Sequence, residues 1–255
     1  MKRKRGMIRK AGIVLGIAVW LGVTPGLNLM GSPYPPPPDE QRDPHPYYKP
    51  WPPILLPEGC STLLSRGCKV TAKDPAQRIL GDLKLITDGN KEIDAYVELM
   101  PGPQWIQIDL GEEKEVHAIC LWHYHDDMRV CHDVVVQISN DEAFVDGVVT
   151  VFNNDHDNSS GLGKGEDKEY VEGRYGRPFA VDAVKGRYVR CHSNGYTFGL
   201  GRSRGGMSRY TEVEVFGWHL NQAGTGDKAQ DWGQPPRERR ALVIQYPTTG
   251  WHVHE

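Results

Sequence analysis

Two short runs of alternating hydrophobic and polar residues lie about a domain's length apart in this chain. The first, Gln104–Gly111, reads QWIQIDLG and places two isoleucines and a leucine on one face. The second, Tyr210–Gly217, reads YTEVEVFG and places two valines on one face and two glutamates on the other. Period-two alternation that ends at a glycine is typical of a half-buried strand. Both runs therefore predict β-strands with one buried face.

Further stretches of the same kind extend this interpretation to the central part of the chain. Turn-rich segments separate them, and no stretch of convincing length repeats with the helical period. The chain is therefore predicted to be all-β, with antiparallel strands packed as a sandwich. The predicted strands are Cys68–Ala72, Trp105–Leu110, Val116–Tyr124, Val134–Ser139, Val148–Phe152, Phe179–Val181, Tyr188–Ser193 and Tyr210–Phe216.

Residues 1–31 have the pattern of an export sequence. Six of the first ten residues are basic, and residues 11–31 carry no charge. A basic segment followed by an apolar one is typical of a signal peptide, but the uncharged stretch also approaches the roughly 20 residues that a spanning helix needs. No Ala-x-Ala cleavage site follows, so a cleaved signal peptide and an N-terminal membrane anchor stay open as alternatives. Either one predicts that the rest of the protein is exported.

Composition divides the remainder into three regions. Residues 32–55 form a proline-rich linker with four consecutive prolines at 35–38, and such a segment acts as an extended, semi-rigid spacer. Residues 56–220 are the predicted sandwich domain. Residues 221–255 form a polar tail, in which the apolar run Ala241–Tyr246 is a candidate edge strand.

Charge excludes one class of partner. Without the six basic residues at the N-terminus, 24 lysines and arginines face 33 acidic residues, a balance near −9. A protein that binds nucleic acid needs a basic stripe or patch. We therefore expect no nucleic-acid partner, and contact with a membrane only through the N-terminal segment.

The chain has five cysteines, so at least one thiol stays unpaired. Cys60 and Cys68 lie close in sequence, and a disulfide between them is one possibility in an exported protein. Cys120 and Cys191 lie in apolar strand patterns, which favour buried thiols.

A set of short motifs in a fixed order carries a family resemblance. Together they resemble the discoidin domain, also called the coagulation factor V/VIII type C domain, and the related family 32 carbohydrate-binding modules. The resemblance covers roughly residues 60–218. The motifs are Ile86–Asn90, Gln104–Gly111, Val134–Asp141, Gly186–Gly195 and Tyr210–Gly217.

The resemblance implies a galactose-binding-like jelly-roll sandwich that holds its ligand in loops at one end. It also implies one structural calcium ion, with Asp88, Asn90 and Glu212 as ligands and no organic cofactor. Calcium prefers carboxylate, amide and carbonyl oxygens, and such an ion would tie an early loop to the last strand. The sequence departs from the family where Lys91–Tyr96 replaces the usual Thr and Trp. The alternative is a simple Asx-type turn at Asp88 with Glu212 facing solvent.

Aromatic, amide and cationic residues near predicted strand ends are candidates for binding a sugar. Aromatic rings pack on the apolar face of a pyranose, while polar side chains bond to its hydroxyls. A structural role in packing the loops is the alternative for each of them. The candidates are Trp122, His125, Arg129, Asn194, Tyr196, Phe198 and Arg202.

Two polar segments invite a metal interpretation. The first is His123–Asp127 together with Cys131 and His132; in it, His123 and His125 are two residues apart on a strand and share a face, a spacing that can chelate zinc. An ordinary polar strand end is the preferred interpretation there. The loop Asn153–Asn158 is rich in oxygen donors but lacks the spaced acidic pattern of an EF-hand, which favours a solvated loop.

The sequence contains no motif for catalysis by a nucleophilic serine, a zinc-dependent protease or a phosphate-binding loop. We therefore predict an exported, non-catalytic module that recognises a carbohydrate or another cell-surface ligand. The alternatives are an adhesive envelope protein that binds a protein partner, and an accessory module of a separate carbohydrate-active enzyme.

Overall fold

The fold is all-β, as predicted. The computed structural model describes residues 51–52, 54–57, 60, 62–74, 78–126, 129–198, 204–219 and 239–242. In this part of the chain every strand pair is antiparallel. The helical structure there is a short 3₁₀ turn, Leu83–Thr87, and no helix in it is long and apolar enough to cross a membrane.

Fourteen strands are present among these residues. They are β1 (Ile54–Pro57), β2 (Thr62–Leu63), β3 (Lys69–Ala72), β4 (Arg78–Leu80), β5 (Val97–Leu99), β6 (Gln104–His123), β7 (Arg129–Cys131), β8 (Val135–Ser139), β9 (Val149–Asn153), β10 (Arg177–Ser193), β11 (Tyr196–Phe198), β12 (Arg204–Gly205), β13 (Ser208–His219) and β14 (Arg239–Leu242).

Two long strands, β6 and β10, run through both layers of the sandwich. The first half of β6 pairs with β3 and with the end of β10, which also pairs with β8. The second half of β6 pairs with β13 and with the start of β10. Register shifts interrupt the β6–β10 ladder between Ala180 and Val184 and between Gly186 and Tyr188. Such irregularities bend a strand, so one pair of strands contributes to both layers.

The main core lies between the two layers. Ile106 and Ile108 of the first layer and Val213 and Val215 of the second are fully buried in it. Both alternating runs thus place the expected residues in the core. The layers are also joined by Tyr210, whose hydroxyl lies 2.7 Å from the Ser193 hydroxyl.

Strand β13 differs from the prediction because both of its faces are buried. Phe216 packs in a second apolar cluster with Leu56, Cys60 and Ala118, which covers the outer face of the layer. The glutamates of the alternating run are buried as well. A strand at the centre of a sheet that is covered on its outer side has no solvent face.

The end of the proline-rich linker is part of the folded body. The Trp51 ring packs edge-on against Tyr170 at 6.3 Å, and the Arg177 guanidinium lies 4.0 Å from the centre of the Trp51 ring. Strand β1 then pairs with β14, with Ile54 opposite Leu242. Strand β14, Arg239–Leu242, overlaps the first two residues of the candidate edge strand Ala241–Tyr246, whose other residues lie outside the described part of the chain. Residues 1–50 lie outside the described residues.

The five cysteines are all thiols, so the possible disulfide between Cys60 and Cys68 does not form. The Cys68 thiol instead lies 3.2 Å from the Leu64 carbonyl oxygen. Cys120 and Cys191 are buried, as their strand patterns indicated.

Candidate functional site

The turn at Asp88 contacts strand β13 directly. The backbone N–H of Gly89 donates to Oε2 of Glu212 at 2.9 Å. Gly89 has φ +84°, and a Cβ there would lie 1.2 Å from the Arg66 guanidinium, so the turn requires glycine. The Glu212 carboxylate therefore reaches the Asp88 turn through a direct hydrogen bond, and the alternative of a solvent-facing Glu212 is wrong. That an ion joins the two segments stays a prediction.

Two side-chain oxygen atoms of the turn accept hydrogen bonds from backbone N–H groups of the same turn. The Asn90 N–H donates to Asp88 Oδ1 at 2.8 Å, as in an Asx turn. The Asn90 side-chain oxygen accepts from the Glu92 N–H at 3.0 Å. The three predicted metal ligands thus lie on one turn and the strand packed against it.

Glu212 is 1 % exposed and lies among other acidic groups. Burial raises the pKa of Glu212 to about 8, with smaller contributions from Glu214 and Asp88 in the same direction. Lys91 acts on the pKa of Glu212 in the opposite direction, and its Nζ is 2.6 Å from a carboxylate oxygen of Glu214, while the Arg66 guanidinium lies against Gly89. A cation that prefers oxygen ligands would compensate the remaining negative charge, so the residues present fit such an ion.

Five of the seven predicted ligand contacts are buried, namely Trp122, His125, Arg129, Asn194 and Tyr196. Trp122 is 0 % exposed, and its indole N–H donates to the Arg174 carbonyl at 3.1 Å. Lys91 lies 5.1 Å from the centre of the Trp122 ring, and Gly176 lies against the same ring. Trp122 therefore presents no free face to a sugar in this structure, and packing is its observed role.

Arg129, Asn194 and Tyr196 are three further buried members. The Arg129 guanidinium lies 3.9 Å from the centre of the Tyr196 ring and 4.6 Å from that of Tyr124. Asn194 donates to a carboxylate oxygen of Asp133 at 2.7 Å. These side chains organise the loop end of the sandwich, and their direct contact with a ligand stays a prediction.

The other three predicted ligand contacts are His125, Phe198 and Arg202, and they lie at separate positions in the chain. His125 is largely buried, and its Nε2 lies 3.0 Å from the Lys91 carbonyl oxygen, next to the Asp88 turn. Phe198 ends strand β11, opposite Arg129, but its side chain is outside the described part of the structure. Arg202 lies outside the described residues.

The structure also shows a set of partly exposed residues that the sequence analysis missed. Tyr96 and Tyr124 pack edge to face with ring centres 4.9 Å apart. The Arg209 guanidinium lies about equally close to both, at 5.5 and 5.4 Å from the ring centres. Arg209 also forms an ion pair with Glu98. We call Tyr96, Tyr124 and Arg209 the tyrosine rim.

Sequence signals for the tyrosine rim were weak. Tyr124 directly follows the last residue of β6, and Arg209 lies directly before the alternating run, so each resembled an ordinary strand end. Tyr96 was considered only as a replacement for a family tryptophan. The contact among the three depends on the pairing of β13 with β6, which brings Tyr210 opposite His123.

The proposed chelating pair of histidines does not form. His123 Nδ1 lies 2.7 Å from Glu172 Oε1 in the interior, whereas His125 bonds to Lys91. The Asn153–Asn158 loop is not simply solvated, because Asp155 is fully buried. Asp155 accepts hydrogen bonds from the backbone N–H groups of Ser159 and Ser160, so its carboxylate closes the loop.

Residues 85–191 match the family model described as "NedA-like, galactose-binding domain", of the F5/F8 type C group. We call the sandwich, which contains this matched segment, the discoidin-like domain. This match confirms the resemblance stated from the sequence. The match includes the Asp88 turn and strands β5 to β9, and it ends within β10.

Solved structures similar to the discoidin-like domain include carbohydrate-binding modules. A family 32 module of AlyQ, solved with 4,5-unsaturated mannuronic acid, is 18% identical, with 64% of this chain and 98% of that chain covered and a TM-score of 0.40. A chitosan-binding module from a Paenibacillus sp. IK-5 chitosanase/glucanase is 20% identical, with 61% and 99% covered and a TM-score of 0.42. The family 32 module of NanJ from C. perfringens, solved with galactose, is 12% identical, with 61% and 98% covered and a TM-score of 0.44. No curated protein matches the chain.

The raised pKa of Glu212 predicts a pH-dependent stability in the presence of a chelator. Because the folded pKa of about 8 exceeds the ordinary value of 4.5, the folded state holds the proton more tightly than the unfolded state. The free energy of unfolding should therefore decrease as pH rises from about 5 to about 8. Urea unfolding in the presence of EDTA, at several pH values between about 5 and about 8, measures this free energy.

Glu212→Gln should remove most of this slope, since glutamine has no proton to lose. Glu92→Gln, at an exposed glutamate of the same loop, is the matched control and should keep the slope. A wild-type stability that stays constant or increases over this range would contradict the assignment.

Proposed function

We propose that this protein is a non-catalytic module that binds carbohydrate through the tyrosine rim of its discoidin-like domain. The observation that carries the proposal is the partly exposed Tyr96–Tyr124 pair with Arg209 beside both rings. Such rings can pack on the apolar face of a sugar, and a guanidinium donates to its hydroxyl or carboxylate oxygens. The match to a galactose-binding domain family supports the same class of ligand.

The buried residues behind the rim support it as a preformed surface. Arg129 is held between Tyr124 and Tyr196, so the inner side of Tyr124 is fixed. The backbone N–H of Tyr124 donates to the Arg209 carbonyl at 3.1 Å. A surface that is ordered before binding loses less conformational entropy when the ligand arrives. In this interpretation Arg129 and Tyr196 position the rim.

Binding of the full chain to a glycan array should identify the ligand and the surface. Tyr124→Ala should weaken binding of the best glycan by about tenfold or more, which corresponds to about 1.4 kcal/mol. The reason is the loss of a ring that packs on the sugar. Titration calorimetry with that glycan measures the change.

Trp218→Ala is the matched control. Trp218 is an aromatic residue, 41 % exposed, and pairs with Glu115 at the other end of β13. Eight residues of strand place it roughly 26 Å from Tyr210. Equal losses in the two variants, or turnover of the glycan by the purified chain, would contradict the proposal.

We also propose that one calcium ion occupies the Asp88 turn. Asp88 and Glu212 would supply carboxylate oxygens and Asn90 its amide oxygen, and the ion would stabilise the loop that carries Tyr96. Support comes from the burial of Glu212 beside further acidic groups. When bound, calcium supplies the positive charge that compensates these carboxylates.

Added calcium should raise the melting temperature of the wild-type protein, because an ion that binds only the folded state stabilises it. Glu212→Gln should lose most of that increase, whereas Glu92→Gln should keep it. Differential scanning calorimetry with calcium and with EDTA measures both. The calcium proposal fails if the wild-type melting temperature is the same in the two buffers.

We further propose that the domain acts outside the cytoplasm, held by or released from its N-terminal segment. The basic and uncharged blocks of residues 1–31 support export. If the domain is anchored, protease added to intact cells should degrade it. If the domain is released, it should be found in the medium. Full protection in intact cells, with degradation after lysis, would show that export is wrong.

A further inference from the structure

A cluster of metal-ligating side chains lies inside the loop end of the sandwich, apart from the Asp88 turn. His123 is the last residue of β6, Cys131 is the last residue of β7, and Glu172 precedes β10. One ligand atom from each lies within 4.8 Å of the other two, and all three residues are buried. The set contains an imidazole, a thiol and a carboxylate.

The backbone holds these three segments together. The Glu172 N–H donates to the Arg129 carbonyl at 2.8 Å, which fixes Glu172 beside strand β7. His123 packs on the Tyr210 ring with centres 4.8 Å apart. The positions therefore follow from strand pairing and packing rather than from a mobile surface loop.

Two polar side-chain atoms of the cluster lack hydrogen-bond partners. His123 Nδ1 lies 2.7 Å from Glu172 Oε1, but His123 Nε2 and Glu172 Oε2 are buried and have no hydrogen-bond partner. The Tyr170 hydroxyl, which lies next to Glu172, is buried as well. A buried polar atom that lacks a partner costs about 1–3 kcal/mol, and more when it belongs to a charged group. Something that binds nitrogen and oxygen there would offset this cost.

We propose that His123, Cys131 and Glu172 bind a zinc-like divalent transition metal in the interior of the domain. Such ions accept imidazole nitrogen, thiolate sulfur and carboxylate oxygen together, at about 2.0–2.3 Å. A thiolate and a carboxylate neutralise the two positive charges of the ion. Burial of the complete site therefore leaves no net charge in the core.

The observed spacing requires only a small contraction. Ligand atoms in a tetrahedral zinc site lie roughly 3.3–3.8 Å apart, given those bond lengths. Compared with the 4.8 Å limit in this structure, side-chain movements on the order of 1 Å suffice. Tyr170 lies close by, since burial together with Glu172 and Cys131 raises its pKa. Its hydroxyl is a further group available to complete or support the site.

This site is chemically different from the proposed calcium site. Calcium takes oxygen ligands, whereas a thiolate and an imidazole select transition metals. The proposal does not depend on the carbohydrate function, because no residue of the tyrosine rim is a ligand. A metal here would join strands β6 and β7 to the segment before β10.

Cobalt is the appropriate probe, because a cobalt–thiolate bond gives a charge-transfer absorption in the near ultraviolet. The full chain is unfolded and refolded with cobalt, since the ligands are buried, and calcium is present in excess. We expect one cobalt per chain, a thiolate charge-transfer band, and a higher melting temperature than that of the metal-free protein. If the wild-type protein binds no cobalt, or shows no thiolate charge-transfer band, the proposal is overturned.

Matched variants locate the site. Cys131→Ser should abolish the band, and Glu172→Gln should reduce cobalt binding by at least about tenfold. Cys120→Ser, at another buried cysteine whose Sγ lies 3.9 Å from the Tyr175 carbonyl, should keep the band. Glu212→Gln should also keep it. Loss of the band in Cys120→Ser or Glu212→Gln would overturn the assignment to these ligands.

X-ray absorption of the wild-type protein with zinc keeps the test independent of whether the variants fold. We expect one sulfur and at least one imidazole nitrogen around the ion. An all-oxygen shell would mean that the ion occupies another site and would overturn the proposal.

Discussion

The burial of strand β13 on both faces is the constraint on which the rest of the domain depends. A central strand that carries Glu212 and Glu214 must compensate two carboxylates that have no access to bulk water. The Asp88 turn does this with a backbone N–H from Gly89 and the ammonium of Lys91. The loop is therefore fixed by the strand, and it delivers Tyr96 to the tyrosine rim.

Acidic side chains hold the loop end together in the same way at other points. Glu98 pairs with Arg209, Glu169 lies 2.9 Å from His132, and Glu172 lies 2.7 Å from His123. Each contact joins segments that are distant in sequence. A domain with an excess of acidic residues thus places part of that excess inside, where it orders loops, and the remainder on its surface. Such polar contacts are directional, so they fix loop geometry more sharply than apolar packing.

Much of the fold could be predicted because its signal is local. The alternation in Gln104–Gly111 reported its buried face correctly, and the order of motifs identified the domain class. The continuous bends of β6 and β10 could not be predicted, since glycine and polar residues interrupt the alternation there. The expectation that Glu212 contacts the Asp88 turn came from the family resemblance. The tyrosine rim and the place of Glu172 beside His123 and Cys131 were missed, because both require contacts that only strand register creates.

The pairing of β1 with β14 also determines how the domain responds to force. Ile54 lies opposite Leu242, so the linker enters the folded body where the tail leaves it. Tension between the linker and a tail held elsewhere would load the contact of Trp51 with Tyr170 and Arg177, and then the Ile54 end of the ladder. The hydrogen bonds of the ladder would then break one after another from that end. This two-stranded ladder would act as a weak mechanical link that yields before the ligand-binding end is distorted.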